Sequence, residues 1–152
     1  MKKIILCLIL TASAITASAQ SHSFNLKVDT RDELGIGAGL TYGVNKHFNF
    51  NPAFIYFPHT GNSKYWSIDF DFHYNLYLTK NFKAYPIIGF AIFHRGGNSY
   101  NYSGSTNAGS NLGLGCEYDL SKRVTGFAEI KNQNIKNLGD ETYASLGIKI
   151  GF

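Results

Sequence analysis

Asp69, Asp71 and His73 occupy alternate positions within the stretch Tyr65 to Leu78 (YWSIDFDFHYNLYL). Carboxylates and an imidazole are the ligand types of a hard or borderline metal ion. Residues two apart on one face of a strand stand about 6.5–7 Å from each other. Three in a row therefore converge poorly on a single ion. The same spacing suits acids that each face a basic residue on another strand, and Lys27, Lys83, Lys131 and Lys149 are the candidates. A second set, His59, His94, Ser99, Ser103 and Glu141, has the residue types of nucleophilic acyl chemistry. All of it falls in loops or at segment ends. We expect no catalytic residue, no bound metal and no cofactor.

The elements that must position these residues alternate with period two. In Tyr65 to Leu78, Trp66, Ile68, Phe70, Phe72, Tyr74, Leu76 and Leu78 share one face, opposite Ser67, Asp69, Asp71, His73 and Asn75. Side chains on a strand alternate faces, so one face is greasy and the other carries charge. Seven more segments repeat the pattern: Ser23 to Asp29, Leu34 to Val44, Phe48 to Phe57, Phe82 to Phe93, Asn107 to Asp119, Arg123 to Lys131 and Thr142 to Phe152. Tight turns are expected at 45–47, 79–81 and 121–122. Longer polar connections are expected at 58–64, 94–106 and 132–141, with a short one at 30–33. Lys46-x-Phe48-x-x-x-Pro52 recurs as Lys80-x-Phe82-x-x-x-Pro86. A proline inside a strand removes a ladder hydrogen bond, so local irregularity is expected at both.

The chain opens with Lys2 and Lys3, an apolar run from Ile4 to Leu10 and the small residues Ala17-Ser18-Ala19. This is the layout of a cleaved secretory leader over residues 1–19, which assigns 20–152 to one domain. The apolar run is too short for the roughly 20 residues of a membrane-spanning helix. Removing Lys2 and Lys3 leaves 12 basic against 10 acidic residues, a net of +2, which makes no case for nucleic acid. Cys7 leaves with the leader, so Cys116 has no internal disulfide partner.

Two architectures bury one face of such strands: a soluble sandwich and a transmembrane barrel. The polar face decides between them. Lys27, Asp29, Asp69, Asp71, His73, Lys83, Glu117, Asp119, Glu129, Lys131 and Lys149 all fall on it by parity. A sandwich would bury several of them unpaired, which is costly. A small barrel pairs them across its lumen, and the glycines of Leu34 to Val44 and Asn107 to Asp119 leave room for their long side chains. The expected fold is all-β, an eight-stranded antiparallel up-and-down transmembrane β-barrel. The length alternation of the connections matches short periplasmic turns and longer outer loops. Tyr42, Phe48, Phe82 and Tyr118 are placed at one membrane interface and Tyr56, Trp66 and Tyr143 at the other, where amphipathic rings prefer to sit.

The stretch NLGLGCEYDLSKRVTGFAEIKNQ, followed by YASLGIKIGF, resembles the C-terminal half of the outer-membrane β-barrel domain family, small porin-family-like barrels of Gram-negative bacteria with OmpA/OmpX-type architecture. The matching features are the glycine alternation from Asn111 to Glu117, Asp119-Leu120-Ser121-Lys122, Phe127-Ala128-Glu129 and Gly147 to Phe152. The resemblance implies a cell outer-membrane location after export and contact with outer-membrane lipid. It also implies that Ile148, Ile150 and Phe152 form the C-terminal signal read by the barrel-assembly machinery. It does not specify a role.

Eight strands enclose a lumen just wide enough for side chains, so a side-chain-filled barrel with a structural or interaction role is the leading expectation. The alternatives are a narrow porin-like channel for small solutes and a lipid-modifying enzyme. The enzyme is disfavoured because Glu129, Ile130 and Lys131 stand where a deacylase-like His and Ser would be needed. In the loop His94 to Thr106, Arg95, Tyr100 and Tyr102 are residue types that favour contact with an extracellular ligand.

Overall fold

Alternating sequence becomes extended chain throughout the computed structural model, which describes residues 22–31, 34–58, 65–96, 104–136 and 139–152. The strands are β1 His22–Thr30, β2 Leu34–Gly43, β3 Phe48–Phe57, β4 Tyr65–Tyr74, β5 Leu76–Tyr77, β6 Phe82–Arg95, β7 Ser105–Asp119, β8 Val124–Ile135 and β9 Gly139–Gly151. Each pairs antiparallel with its neighbours. β1 pairs with β9, and β4 with β6, so the sheet closes on itself with no free edge. β4 and β5 share one register against β6, with His73 opposite Ile87 and Leu76 opposite Ala84. They form a single stave broken at Asn75, so the ring is a closed eight-stranded barrel. Carrying the registers once around the ring returns to β1 displaced by about ten residues, the kind of stagger that goes with strands tilted roughly 35–45°.

Both termini of the ring lie at one end, with the turns 44–47, 78–81 and 120–123. These three turns are built alike. Asn45 Oδ1, Thr79 Oγ1 and Ser121 Oγ each accept hydrogen bonds from the backbone N–H groups two and three residues on. Such side-chain acceptors stabilise a reversal in place of a backbone partner.

The prolines mark the irregularities. The β2–β3 ladder is interrupted between Gly39–Ala53 and Tyr42–Phe50, around Pro52, yet resumes in the same register. The fourth stave breaks at Asn75, next to the position that the β6 register sets opposite Pro86. The missing N–H is absorbed by a gap in the ladder, without an inserted residue. On its other side Asn75 continues the β3 register, and its N–H donates to the carbonyl of His47 at 2.6 Å.

The strands that flank the last two long connections run further than alternation indicated, β6 to Arg95 and β7 from Ser105, and β8 and β9 further still. The connection expected at 132–141 is largely strand: β8 continues to Ile135 and β9 begins at Gly139. Gln133 and Ile135 keep the inward parity, but the outward residues change to Asn132 and Asn134, which bond Thr142 and Asp140 across the hairpin. Pairing needs no apolar exterior there, and the loss of apolar alternation made the segment read as loop. The leader (1–19), most of the 58–64 connection, and Tyr100 and Tyr102 lie outside the described residues.

Burial is inverted relative to a water-soluble domain. Among the described residues, buried apolar and aromatic side chains are eight, whereas eighteen buried residues are polar or charged. The outside carries Leu26, Leu34, Ile36, Phe54, Ile88, Phe90, Leu112, Leu114, Ile130 and Leu146, all more than 40% exposed. A soluble monomer rarely exposes so continuous an apolar surface. Transfer of each such Leu, Ile or Phe from water to hydrocarbon is worth about 1.5–3 kcal/mol, so this exterior is stable against lipid and costly against water.

Candidate functional site: the charged lumen

The lumen is lined by the inward positions of every stave. Their long polar side chains fit because glycines face them. A Cβ on Gly89 would collide with Asp71 Oδ1 and the Phe70 carbonyl, and one on Gly115 would enter the Tyr85 ring. Lys27, Arg31, Lys83, Lys131 and Lys149 meet Asp29, Asp69, Asp71, Glu117 and Glu129. These five cations and five carboxylates balance formally.

Lys131 is the hub of the half nearer the long connections. Its Nζ lies 2.8 Å from Asp71 Oδ2, 3.4 Å from Asp69 Oδ2 and 4.0 Å from Glu129 Oε2, and the residue is 1% exposed. Tyr143 donates its hydroxyl to Asp69 Oδ2 at 3.3 Å. Asn111 donates to Asp71 Oδ1 at 2.8 Å, and Gln133 donates to Asn111 at 2.7 Å. Arg31 closes the top. It donates to Gln133 Oε1 at 2.6 Å, approaches Asp69 Oδ2 at 3.7 Å and lies 4.1 Å from the Tyr143 ring centroid. Lys27 and Asp29 pair along β1 at 3.6 Å.

Nearer the tight turns, Glu117 is clamped by Lys149 at 2.5 Å and Lys83 at 2.8 Å. Tyr85 donates to Glu129 Oε1 at 3.0 Å and stacks on His73 with centroids 4.4 Å apart. Below them a neutral chain runs from Asn25 to Thr41 at 3.2 Å and from Thr41 to Asn51 at 2.6 Å. Charges removed from water in this way are tolerable only when paired and hydrogen-bonded. Lys131 with Asp71, and Glu117 with Lys149 and Lys83, meet that condition across strands far apart in sequence, whereas the carboxylate of the buried Asp29 has its 3.6 Å ion pair with Lys27 and no hydrogen bond among the described residues.

Asp69 and Asp71 therefore come together, on Lys131, but His73 turns to Tyr85 and Glu129. Among the described residues no group of three His, Cys, Asp or Glu side chains is arranged to hold a metal ion. At the far rim His94 contacts Thr106 Oγ1 at 2.8 Å and stacks on Trp66, while Arg95 lies 5.0 Å from the Tyr65 ring. His59, Ser99 and Ser103 lie outside the described residues. Cys116 is a free thiol on the outer face.

Two placements differ from expectation. Tyr143, placed in the interface girdle, is 2% exposed inside the lumen; its parity with Ser145 and Lys149 directs it inward, and proximity to a strand end misled. Asp119, counted in the charge network, is exposed at the mouth and accepts a 2.7 Å hydrogen bond from Thr125, because β7 has left the enclosed lumen there. Tyr42, Phe48, Tyr56 and Tyr118 are exposed on the outer face, and Trp66 and Phe82 are half-buried on it. Ile148, Ile150 and Phe152 also point outward. Sequence reasoning overlooked Arg31, Tyr85, Asn111 and Gln133. Arg31 continues the Lys27, Asp29 parity one residue past β1, so the signal was present in the alternation.

No protein-family model matches the sequence, and no curated protein matches it. Solved structures do. The N-terminal β-barrel domain of Pseudomonas aeruginosa OprF superposes with a TM-score of 0.71 at 16% identity, covering 87% of this chain and 97% of that one. A major outer membrane protein from Thermus thermophilus gives 0.67 at 10% identity, over 89% and 100%. Ail, the attachment invasion locus protein of Yersinia pestis, gives 0.61 at 10% identity, over 88% and 96%.

Proposed function

We propose that this chain, which has the fold of the eight-stranded outer-membrane β-barrels, is exported to the outer membrane of a Gram-negative cell and works there as a non-enzymatic barrel with a closed lumen. The observation that carries this reading is the pairing of an apolar exterior with an interior sealed by ion pairs around Lys131 and Glu117. A water-filled pore would leave those charges facing solvent. Here Lys131, Asp69 and Gln133 are at most 1% exposed, so the side chains themselves block the axis. The work is then done by the ends and the outer face, as a structural or interaction element. Ail has been solved in complex with the heparin analogue sucrose octasulfate, which supports a ligand-contacting role for the outer end, where Arg95 sits exposed beside Tyr65. Reconstitution into planar bilayers tests the closed lumen. We expect no reproducible channel events, and a stable unit conductance would replace this reading with a narrow pore for small solutes.

A further inference from the structure

The three turns at the termini end each carry a lysine directly after the side-chain acceptor that builds the turn: Lys46 after Asn45, Lys80 after Thr79 and Lys122 after Ser121. All three are exposed, and Arg123 adds a fourth exposed cation. The exposed acidic side chain described at this end is Asp119. The opposite end mixes exposed Arg95, Lys136 and Asp140. With short turns on the periplasmic side, the basic end lies at the inner surface of the membrane.

Beside one of these turns the outer wall is indented. The ladder gap opposite Pro86 leaves a groove of about 310 Å³ lined by Phe48, Phe72, Tyr74, Pro86, Ile88 and Leu112. It sits on the apolar face and its lining is almost wholly apolar. The turn that carries Lys46 packs against its foot. His47 stacks on Tyr74 with centroids 5.7 Å apart, Phe48 meets Tyr74 edge-to-face at 4.9 Å, and Tyr77 donates its hydroxyl to the Lys46 carbonyl at 2.8 Å.

We propose that this groove and Lys46 together bind one anionic phospholipid of the periplasmic leaflet, with an acyl chain in the groove and the headgroup phosphate on the lysine. An apolar slot at membrane depth takes a hydrocarbon chain, and a cation at the headgroup level selects negative charge; each such cation favours an anionic lipid about fivefold. The hairpin that carries Lys122 lies four staves away around the ring, so it supplies an internal control of equal charge. The proposal rests on the outer-membrane reading above.

The test reconstitutes the full barrel in vesicles of equal phosphatidylglycerol and phosphatidylcholine, then counts lipids that remain bound on release, by native mass spectrometry. We expect about fivefold enrichment of phosphatidylglycerol on the wild type. Lys46→Glu should lower the enrichment toward the bulk ratio, and Lys122→Glu, remote from the groove, should leave it intact. Ile88→Trp, which fills the groove with an apolar ring, should lower retention of both lipids. Bulk-ratio retention by the wild type, or equal loss from Lys46→Glu and Lys122→Glu, overturns the site. Failure of the wild type to insert into either lipid would instead overturn the membrane reading itself.

Discussion

Replacing Lys131 with methionine removes the cation that Asp69 and Asp71 share while keeping most of the side chain's volume. Both acids are buried, and the lysine's contacts to them are 3.4 and 2.8 Å. Breaking a buried ion pair by deleting one partner costs about 3–5 kcal/mol, because the remaining charge is stranded. Some compensation remains: Asp69 keeps the Tyr143 hydroxyl at 3.3 Å and Arg31 at 3.7 Å, and Asp71 keeps Asn111 at 2.8 Å. We therefore expect a loss near the lower bound, about 3 kcal/mol. Urea unfolding in phosphatidylcholine vesicles, read by the emission of the single tryptophan, Trp66, measures it. Asp119→Asn, at the exposed mouth, should cost under about 1 kcal/mol. The variant that combines Lys131→Met with Asp69→Asn and Asp71→Asn should recover part of the loss, since the two acids stranded by the missing lysine are neutralised, while Arg31 and Glu129 give up the ion pairs they made with Asp69 and Lys131. A Lys131→Met penalty below about 1 kcal/mol, or no recovery in the combined variant, would refute the reasoning that cross-strand pairing holds the lumen.

Further outcomes follow from the same geometry. Gly115→Val should destabilise by about 1–3 kcal/mol through overpacking against Tyr85, and Tyr85→Ala in the same chain should relieve part of that cost in the same titration. Leu114→Arg, on the apolar band, should cost about 2–4 kcal/mol, whereas Asn132→Arg, on the hairpin above it, should cost about 0–1 kcal/mol; equal penalties would mean the exterior is not lipid-facing. Phe152→Asp should lower the amount of barrel assembled in cells more than the yield refolded in detergent, and equal losses would remove the assembly-signal role of the last strand.

Parity made most of the barrel legible. Alternation from Tyr65 to Leu78 and its seven companions located every stave, because a strand with lipid on one side and charge on the other has no freedom to shift by one residue. Fold class was therefore readable where neither a family model nor a curated relative matched. Legibility faded where the exterior stops being apolar. Asn132 and Asn134 face water on a paired strand, and nothing local separates that from a loop. The partners of each lumen charge were unreadable for a different reason. Which lysine meets Asp71 depends on the stagger around the closed ring, a property of all the registers at once. Lys131 reaches Asp71 across the lumen, from a stave that is not its ladder neighbour. Arg31 was missed because its strand had ended, although its parity had not.

The central claim is an inside-out barrel, with lipid outside and paired charge within. Single-tryptophan variants, built on Trp66→Phe, test it most directly by quenching in vesicles that contain lipids with brominated acyl chains. Tryptophan placed at Leu114 or Ile148 should be quenched strongly by the brominated chains and weakly by aqueous acrylamide. At Asn132 or Asn134 the order should reverse. Strong acrylamide quenching at Leu114 and Ile148, with none from the brominated lipid, would contradict the account.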